Sequence, residues 1–325
     1  MSRENAHNYC RICDNDINNT IYEAREMLCG SRCEYKYTIC SICNCLQIVE
    51  IPNDLSKFYP IEYYSFRSES KIKIFLRSQW AKYSYSRKNY NLIGLLIYYI
   101  KGDYSDISYF RNLGINKNSR ILDVGCGMAH SLLCLGKLGF TDLTGVDPYV
   151  QKAWSSGFVK VLNCDVANVN GKFDVIMSNW SFEHMDDQVG VLNSFKRLLS
   201  DDGIIVLRIP IVSSYAWRRY GVNWYNMDPP RHLYLHSYNS LNIILNKVDL
   251  TTDNIYHESN WRGLFLSYCY EKDISPADTS ILKKAKRYIF LIFKFLKFYN
   301  LSKSINKNKE SDLVCFILKN SKSER

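Results

Sequence analysis

The stretch Arg120-Ile-Leu-Asp-Val-Gly-Cys-Gly-Met-Ala129 constrains this chain more than any other. An apolar run ends in an acid and a glycine-spaced turn, directly before a helical pattern from His130 to Leu138. Gly125 and Gly127 let the backbone turn tightly and approach a ligand with no Cβ in the way. A strand that feeds a helix through such a turn opens a parallel α/β unit. No Lys-Ser/Thr pair follows the glycines, which argues against a triphosphate-binding loop.

The rest of the chain carries the same rhythm. Strand candidates run from Arg120 to Val124, Leu143 to Asp147, Val159 to Cys164 and Asp174 to Ser178, then from Gly203 to Ile209, Thr252 to Glu258 and Leu313 to Lys319. Helical candidates lie between them at His130 to Leu138, Asp187 to Leu199 and Ser237 to Lys247. The expected fold is α/β, a doubly wound seven-stranded sheet with ligands beyond the carboxyl ends of its strands.

A second acid, Asp147, ends the next strand in Leu143-Thr-Gly-Val-Asp147, where a carboxylate can accept hydrogen bonds from a ribose diol. Two readings meet here. A dinucleotide oxidoreductase wants a fuller glycine turn, and position 130 is His; a methyltransferase needs only to hold an amino acid and a nucleoside. In this the chain resembles the class I S-adenosylmethionine-dependent methyltransferases, whose first motif is an acid followed by Gly-x-Gly on a Rossmann-like sheet. Ala129 departs from it, since a further glycine is usual there. The resemblance continues in order. Asp147 matches the ribose-binding acid, and Asp165 in Asn163-Cys-Asp165 matches the acid that contacts the adenine amino group. Phe173-Asp-Val-Ile-Met-Ser-Asn-Trp-Ser-Phe-Glu-His184 looks like the fourth motif. The cofactor-binding set it implies is Asp123, Gly125, Gly127, Asp147, Asp165 and Asn179, with S-adenosylmethionine as the methyl donor. Each acid also has a plainer reading as a turn or helix cap, most readily Asp165.

Methyl transfer from a sulfonium is an in-line displacement, which needs an oriented acceptor and, where the nucleophile carries a proton, a base. Glu183 and His184 follow the fourth strand. His232 lies in Trp224-Tyr-Asn-Met-Asp-Pro-Pro-Arg-His-Leu-Tyr234, a run that resembles the loop after the fifth strand in methyltransferases of polysaccharide and small-molecule pathways. Histidine titrates near neutrality, so His232 is the first candidate base, with Glu183 and His184 lining the site. A structural role for His232 stands beside that reading, and for His184 it is the preferred one. Trp180, Trp217, Trp224 and Tyr225 are candidates for either pocket or core. No Pro-Pro-aromatic signature follows Trp180, which weighs against methylation of nucleic-acid bases.

Two Cys-x2-Cys pairs, Cys10/Cys13 and Cys40/Cys43, each offer a knuckle that binds zinc, and together they make a closed structural site. The head looks like the small zinc ribbon that precedes some sugar-modifying methyltransferases, including its Cys45-Leu-Gln47 run and the Pro52 to Pro60 stretch. Cys29, Cys33 and Cys45 are spare thiols able to replace a ligand. With 12 cysteines but no export signal at the N-terminus, metal ligation is favoured over a disulfide framework. No run reaches the roughly 18 apolar residues of a membrane span, and the expected compartment is the cytoplasm.

Three segments result: a zinc-ribbon-like head over 1–50, a helical lead-in or lid over 51–118 with helical patterns at Ser70 to Tyr85 and Tyr90 to Tyr99, and the methyltransferase domain over 119–325. The net charge of +10 favours anionic partners without choosing among them, and much of it lies in Lys71 to Lys88 and Lys283 to Lys309, away from the motifs. The basic, apolar segment Ile281 to Tyr299 admits two placements, in a membrane interface or as an inserted helix (281–310) before the last strand, and the second is expected. The favoured acceptor is a small molecule, a nucleotide-linked sugar or glycan precursor. An RNA or protein acceptor is the alternative, and an inactive binding module of the same fold is the rival class, against which the acids at 123 and 147 speak.

Overall fold

The computed structural model describes residues 9–59, 70–87, 91–111 and 113–321. Tyr90 and Pro60, which bound two of the expected segments, lie outside them. The head forms β1 (Thr20–Arg25), β2 (Glu34–Ile39) and β3 (Leu46–Ile48), an antiparallel meander between and after the cysteine pairs. The lead-in folds as α1 (Lys71–Tyr85), α2 (Leu92–Lys101) and the single turn α3 (Ser105–Ser108). Ser70 and Asn91 cap the first two, their side chains accepting from Lys73 N–H and Gly94 N–H.

The remainder runs β4 (Arg120–Val124), α4 (His130–Lys137), β5 (Asp142–Val146), β6 (Trp154–Ser156), β7 (Val159–Leu162), β8 (Phe173–Asn179), α5 (Gln188–Leu198) and β9 (Leu199–Pro210). There follow α6 (Tyr215–Tyr220), β10 (Tyr234–Leu235), α7 (Tyr238–Lys247), β11 (Leu250–His257), α8 (Trp261–Glu271), α9 (Ile281–Lys307) and β12 (Leu313–Asn320). The large sheet has the order β11-β12-β9-β8-β4-β5-β7-β6. The five strands from β9 to β7 are parallel, β12 is antiparallel to both its neighbours, and β6 adds a short antiparallel edge. All seven expected strands are present. The eighth, Trp154-Ser-Ser156, is too short and polar to carry a strand pattern of its own.

Alternation along β4 explains the two layers. Ile121 packs with Leu132 and Leu135 of α4, Ala81 of α1 and Ile107 of α3, while Leu122 and Val124 pack with Leu192, Phe195 and Leu198 of α5 on the other face. α1 and α3 are thus part of the layer over one sheet face, and α2 packs on α1. From β4 the chain winds out through β5 and β7, then returns to β8 on the opposite side. The strand order reverses between β4 and β8, which opens a crevice at their carboxyl ends.

Two contacts join the segments. The head closes its sheet with β10, which pairs with β3 (Leu235 opposite Leu46), so the domain beginning at 119 supplies the fourth strand of the head. And α9 packs on α8 through Phe290, Phe295 and Phe298 against Tyr268, Trp261 and Phe265. Its outer face leaves Ile281, Leu282, Ile292, Phe293 and Leu296 exposed. Among the described residues no helix is long and apolar enough to cross a membrane.

Candidate active site

At the crevice, Gly125 and Gly127 take left-handed φ of 76° and 51°. A Cβ at Gly125 would lie 2.3 Å from Ser181 Cβ, so this turn closes against the loop after β8 only because the residue is glycine. Ala129, where a glycine is usual, holds φ +55° at the N-cap of α4. Asp147 braces the turn: its Oδ2 accepts from Gly127 N–H (2.9 Å) and its Oδ1 from Tyr149 N–H (2.8 Å). Burial raises the Asp147 carboxyl above its ordinary range against the pull of those two amides. Asp123, at the end of β4, is buried and pushed well above the carboxylate range by desolvation, with Asp106 and Asp147 adding like charge.

A cleft of about 480 Å³ lies in front of this turn, lined by Gly125, Asp147, Asp165 and Trp180 and covered on one side by Leu55 and Tyr59. That volume is in the range of small-ligand sites. Asp165 caps a short 3₁₀ turn through Ala167 N–H (2.8 Å) and also faces the cleft. Asn179 stands apart from its lining. Its Oδ1 accepts from Arg208 (3.3 Å), and its Nδ2 is buried without a partner.

Beyond Trp180 and His184 lies a second pocket of about 260 Å³, lined by Glu183, His184, His232, Asp228 and Tyr225. The structure brings together here all three candidates for the chemical step. His232 Nδ1 is 2.7 Å from the Asn226 carbonyl, which can only accept, so the proton sits on Nδ1 and Nε2 keeps its lone pair. That Nε2 is 3.9 Å from both Glu183 Oε1 and Asp228 Oδ2, too far for a direct bond. Burial lowers the His232 pKa, with Asp228 opposing. Glu183 is buried with both carboxyl oxygens unpartnered, and desolvation raises it to about 8. His184 Nδ1 lies 2.8 Å from the Arg231 carbonyl and 2.9 Å from Tyr59 Oη, and burial lowers its pKa to about 3.

The loop that carries His232 is held by the head. Arg231, fully buried, reaches Glu26 Oε1 (2.9 Å) and pairs with Asp228, while Tyr37 Oη donates to the His232 carbonyl (2.8 Å). Glu26 in turn accepts from Cys29 N–H and Ser31 N–H in the β1–β2 loop. Sequence reading missed Glu26, Asp228 and Tyr59 as partners of the site. Asp228 and Tyr59 had local signals, standing in the Met-Asp-Pro-Pro-Arg-His run and in the Pro52 to Pro60 stretch; Glu26 arrives through tertiary packing.

The four expected metal-binding sulfurs converge. Cys10 and Cys43 Sγ are 3.5 Å apart, as are Cys13 and Cys40 Sγ, a spacing close to that of thiolates sharing a tetrahedral zinc with bonds of about 2.3 Å. The β1–β2 hairpin occupies the long linker between the pairs. Cys45 is buried in the core, and Cys29 and Cys33 are exposed, outside the cluster. Trp224 is core, its indole N–H donating to Asp312 (3.0 Å), and Trp217 packs on it, whereas Trp180 and Tyr225 line cavities.

Residues 101–255 match a family described as a methyltransferase domain. Among curated proteins, the ribosomal protein L11 methyltransferase of Thermosipho africanus is 32% identical over 111 residues, 29% of this chain and 41% of that protein. The malonyl-[acyl-carrier protein] O-methyltransferase of Acetivibrio thermocellus is 29% identical over 104 residues, 29% of this chain and 37% of that one. The chain therefore spans about two fifths of the length of the curated relatives it matches. Among solved structures, a Burkholderia thailandensis 1,6-didemethyltoxoflavin-N1-methyltransferase with bound S-adenosylhomocysteine aligns over 87% of this chain and 97% of its own, at 11% identity and a TM-score of 0.41.

Proposed function

We propose that this chain transfers a methyl group from S-adenosylmethionine to a small-molecule acceptor, a nucleotide-linked sugar or other glycan precursor. The observation that carries the reading is the adjacency of two pockets at Trp180: a cleft over a glycine turn braced by Asp147, and a smaller pocket holding Glu183, His184 and His232. The donor supplies a sulfonium-activated methyl carbon. Asp147 and Asp165 offer carboxylates to its ribose and adenine, and its ammonium group is a cation that would offset the burial of Asp123.

The chain's own part is orientation and proton transfer. An acceptor hydroxyl in the smaller pocket meets the Nε2 lone pair of His232, whose tautomer is fixed from behind by Asn226. The acceptor oxygen would form its bond to the methyl carbon as the carbon–sulfur bond breaks with the electron pair left on sulfur, and the part of this chain is to take the hydroxyl proton on Nε2. Asp228, whose carboxylate lies 3.9 Å from Nε2, stabilises the imidazolium that forms. Cys10, Cys13, Cys40 and Cys43 would hold a zinc ion with no open position, and its contribution is structural.

The reading is tested by methyl transfer from labelled donor to a panel of nucleotide sugars. Wild type should label at least one of them, and His232→Ala should lower kcat roughly 10²–10⁴-fold with donor affinity unchanged. Transfer to RNA or protein alone would replace the acceptor class.

A further inference from the structure

We propose that a third cleft, about 740 Å³, binds the phosphate-bearing, non-reacting end of the acceptor. The inference rests on the methyltransferase reading for the word acceptor, but its evidence is separate. The cleft lies between the end of α2, the start of α8 and the second half of α9. It adjoins the small pocket: Trp180, Asn260 and Leu313 line both, and Trp180 lines the donor cleft as well. A ligand in the large cleft can therefore reach past Trp180 toward the donor.

Trp180 is built into that junction. It is a bulky residue at φ +58°, its N–H donates to the Arg208 carbonyl (3.0 Å), and the Arg208 guanidinium lies 4.7 Å from its ring centroid. Backbone strain of this kind persists only where the surroundings impose it, and it gathers at binding sites.

The chemistry of the walls selects the ligand. Three cations lie against aromatic faces that share the cleft: Lys101 over Trp80 (5.2 Å), Arg262 over Trp261 (5.4 Å) and Lys303 over Tyr299 (4.3 Å). The two carboxylates of the lining are already engaged, Glu258 by Arg208 (2.6 Å) and Asp103 by Arg87 (2.8 Å) and Arg111 (3.5 Å). A cleft with committed acids and cations on its rim favours an anion, and guanidinium and ammonium groups bind phosphate oxygens well. Aromatic faces beside them suit a sugar or base ring. The ligand class is a glycosyl or nucleosyl phosphate, carried either on a soluble nucleotide or on a lipid.

The test is calorimetric titration of the full, zinc-containing chain, saturated with S-adenosylhomocysteine, using uridine diphosphate as the probe. One-to-one binding is expected, and Arg262→Ala/Lys303→Ala, both at exposed positions, should weaken it at least tenfold while leaving S-adenosylhomocysteine affinity unchanged. A second arm floats the protein with phosphatidylcholine vesicles containing a polyprenyl diphosphate. Flotation that the double variant loses, without uridine diphosphate binding, would assign the phosphate to a lipid carrier and support the site. Absence of both, or equal behaviour of wild type and variant, would overturn it. If uridine diphosphate binds through these cations but S-adenosylhomocysteine does not bind, the cleft stands and the methyltransferase reading falls.

Discussion

Gly125→Ala puts the donor turn under a load whose size can be worked from the structure. The residue sits at φ +76°, where an L side chain costs roughly 1–2 kcal/mol. The new Cβ would also lie 2.3 Å from Ser181 Cβ. Ser181 cannot swing aside, because the contact is its own Cβ and its Oγ is tied to Ser178 Oγ and the Val124 carbonyl, both at 2.7 Å. Overpacking of this kind costs about 1–3 kcal/mol, for a total of roughly 2–5 kcal/mol. Gly139 separates the two contributions: it has φ +94° but nothing within 4 Å of an added Cβ, so Gly139→Ala should lose only the backbone share. Urea unfolding of both variants, with calorimetric titration of S-adenosylhomocysteine, measures the difference. Gly125→Ala should be the less stable by the packing share and should bind S-adenosylhomocysteine at least tenfold more weakly. Equal stabilities and wild-type affinity would refute the tight closure of the turn on Ser181.

Glu183, with its folded pKa raised from 4.5 to about 8, favours the folded state fully at low pH and loses that contribution as pH climbs through about 8. Glu183→Gln should therefore flatten the fall in stability between pH 5 and 9, seen as converging melting temperatures at low and high pH; an unchanged slope would mean that Glu183 is hydrated. Arg231→Met strands Glu26 and Asp228 as buried charges and should cost about 3–5 kcal/mol in denaturant unfolding, with a loss below 1 kcal/mol contradicting the buried ion cluster. Zinc analysis should find one ion per chain, and its removal by chelator should lower both melting temperature and transfer rate. The link to rate is physical: Ser237 Oγ bonds the Cys43 carbonyl (2.5 Å) and Lys247 the Ile12 carbonyl (2.8 Å), so the knuckles hold the segment after His232. Metal-free protein with unaltered stability would remove the site.

Much of this architecture is legible in the residues because its signals are local. The β4 turn announces itself in Asp123-Val-Gly-Cys-Gly127, and the five central strands appear as apolar runs because a parallel strand is buried on both faces. The cysteine pairs are equally local. What escaped reading depends on contacts between distant segments. β10 is two residues long and exists because Tyr234-Leu235 pairs with Leu46-Gln47 of the head. Glu26 lies in an ordinary polar loop until Arg231, 205 positions on, is seen against it. Asn179 shows the converse: its place in the motif is clear, yet tertiary packing turns its side chain toward Arg208 and out of the cleft lining. The helix α9 reads as amphipathic from sequence, but only the fold shows that one apolar face is spent on α8 and another is left in solvent.

The central claim is most directly tested by titrating the full chain, purified with added zinc, with S-adenosylhomocysteine in a calorimeter, alongside Asp147→Ala. Saturable one-to-one binding by wild type, weakened at least tenfold in the variant that loses the brace on Gly127, is the expected result. No binding to folded, metal-replete protein would contradict the donor site and leave the fold as a binding module.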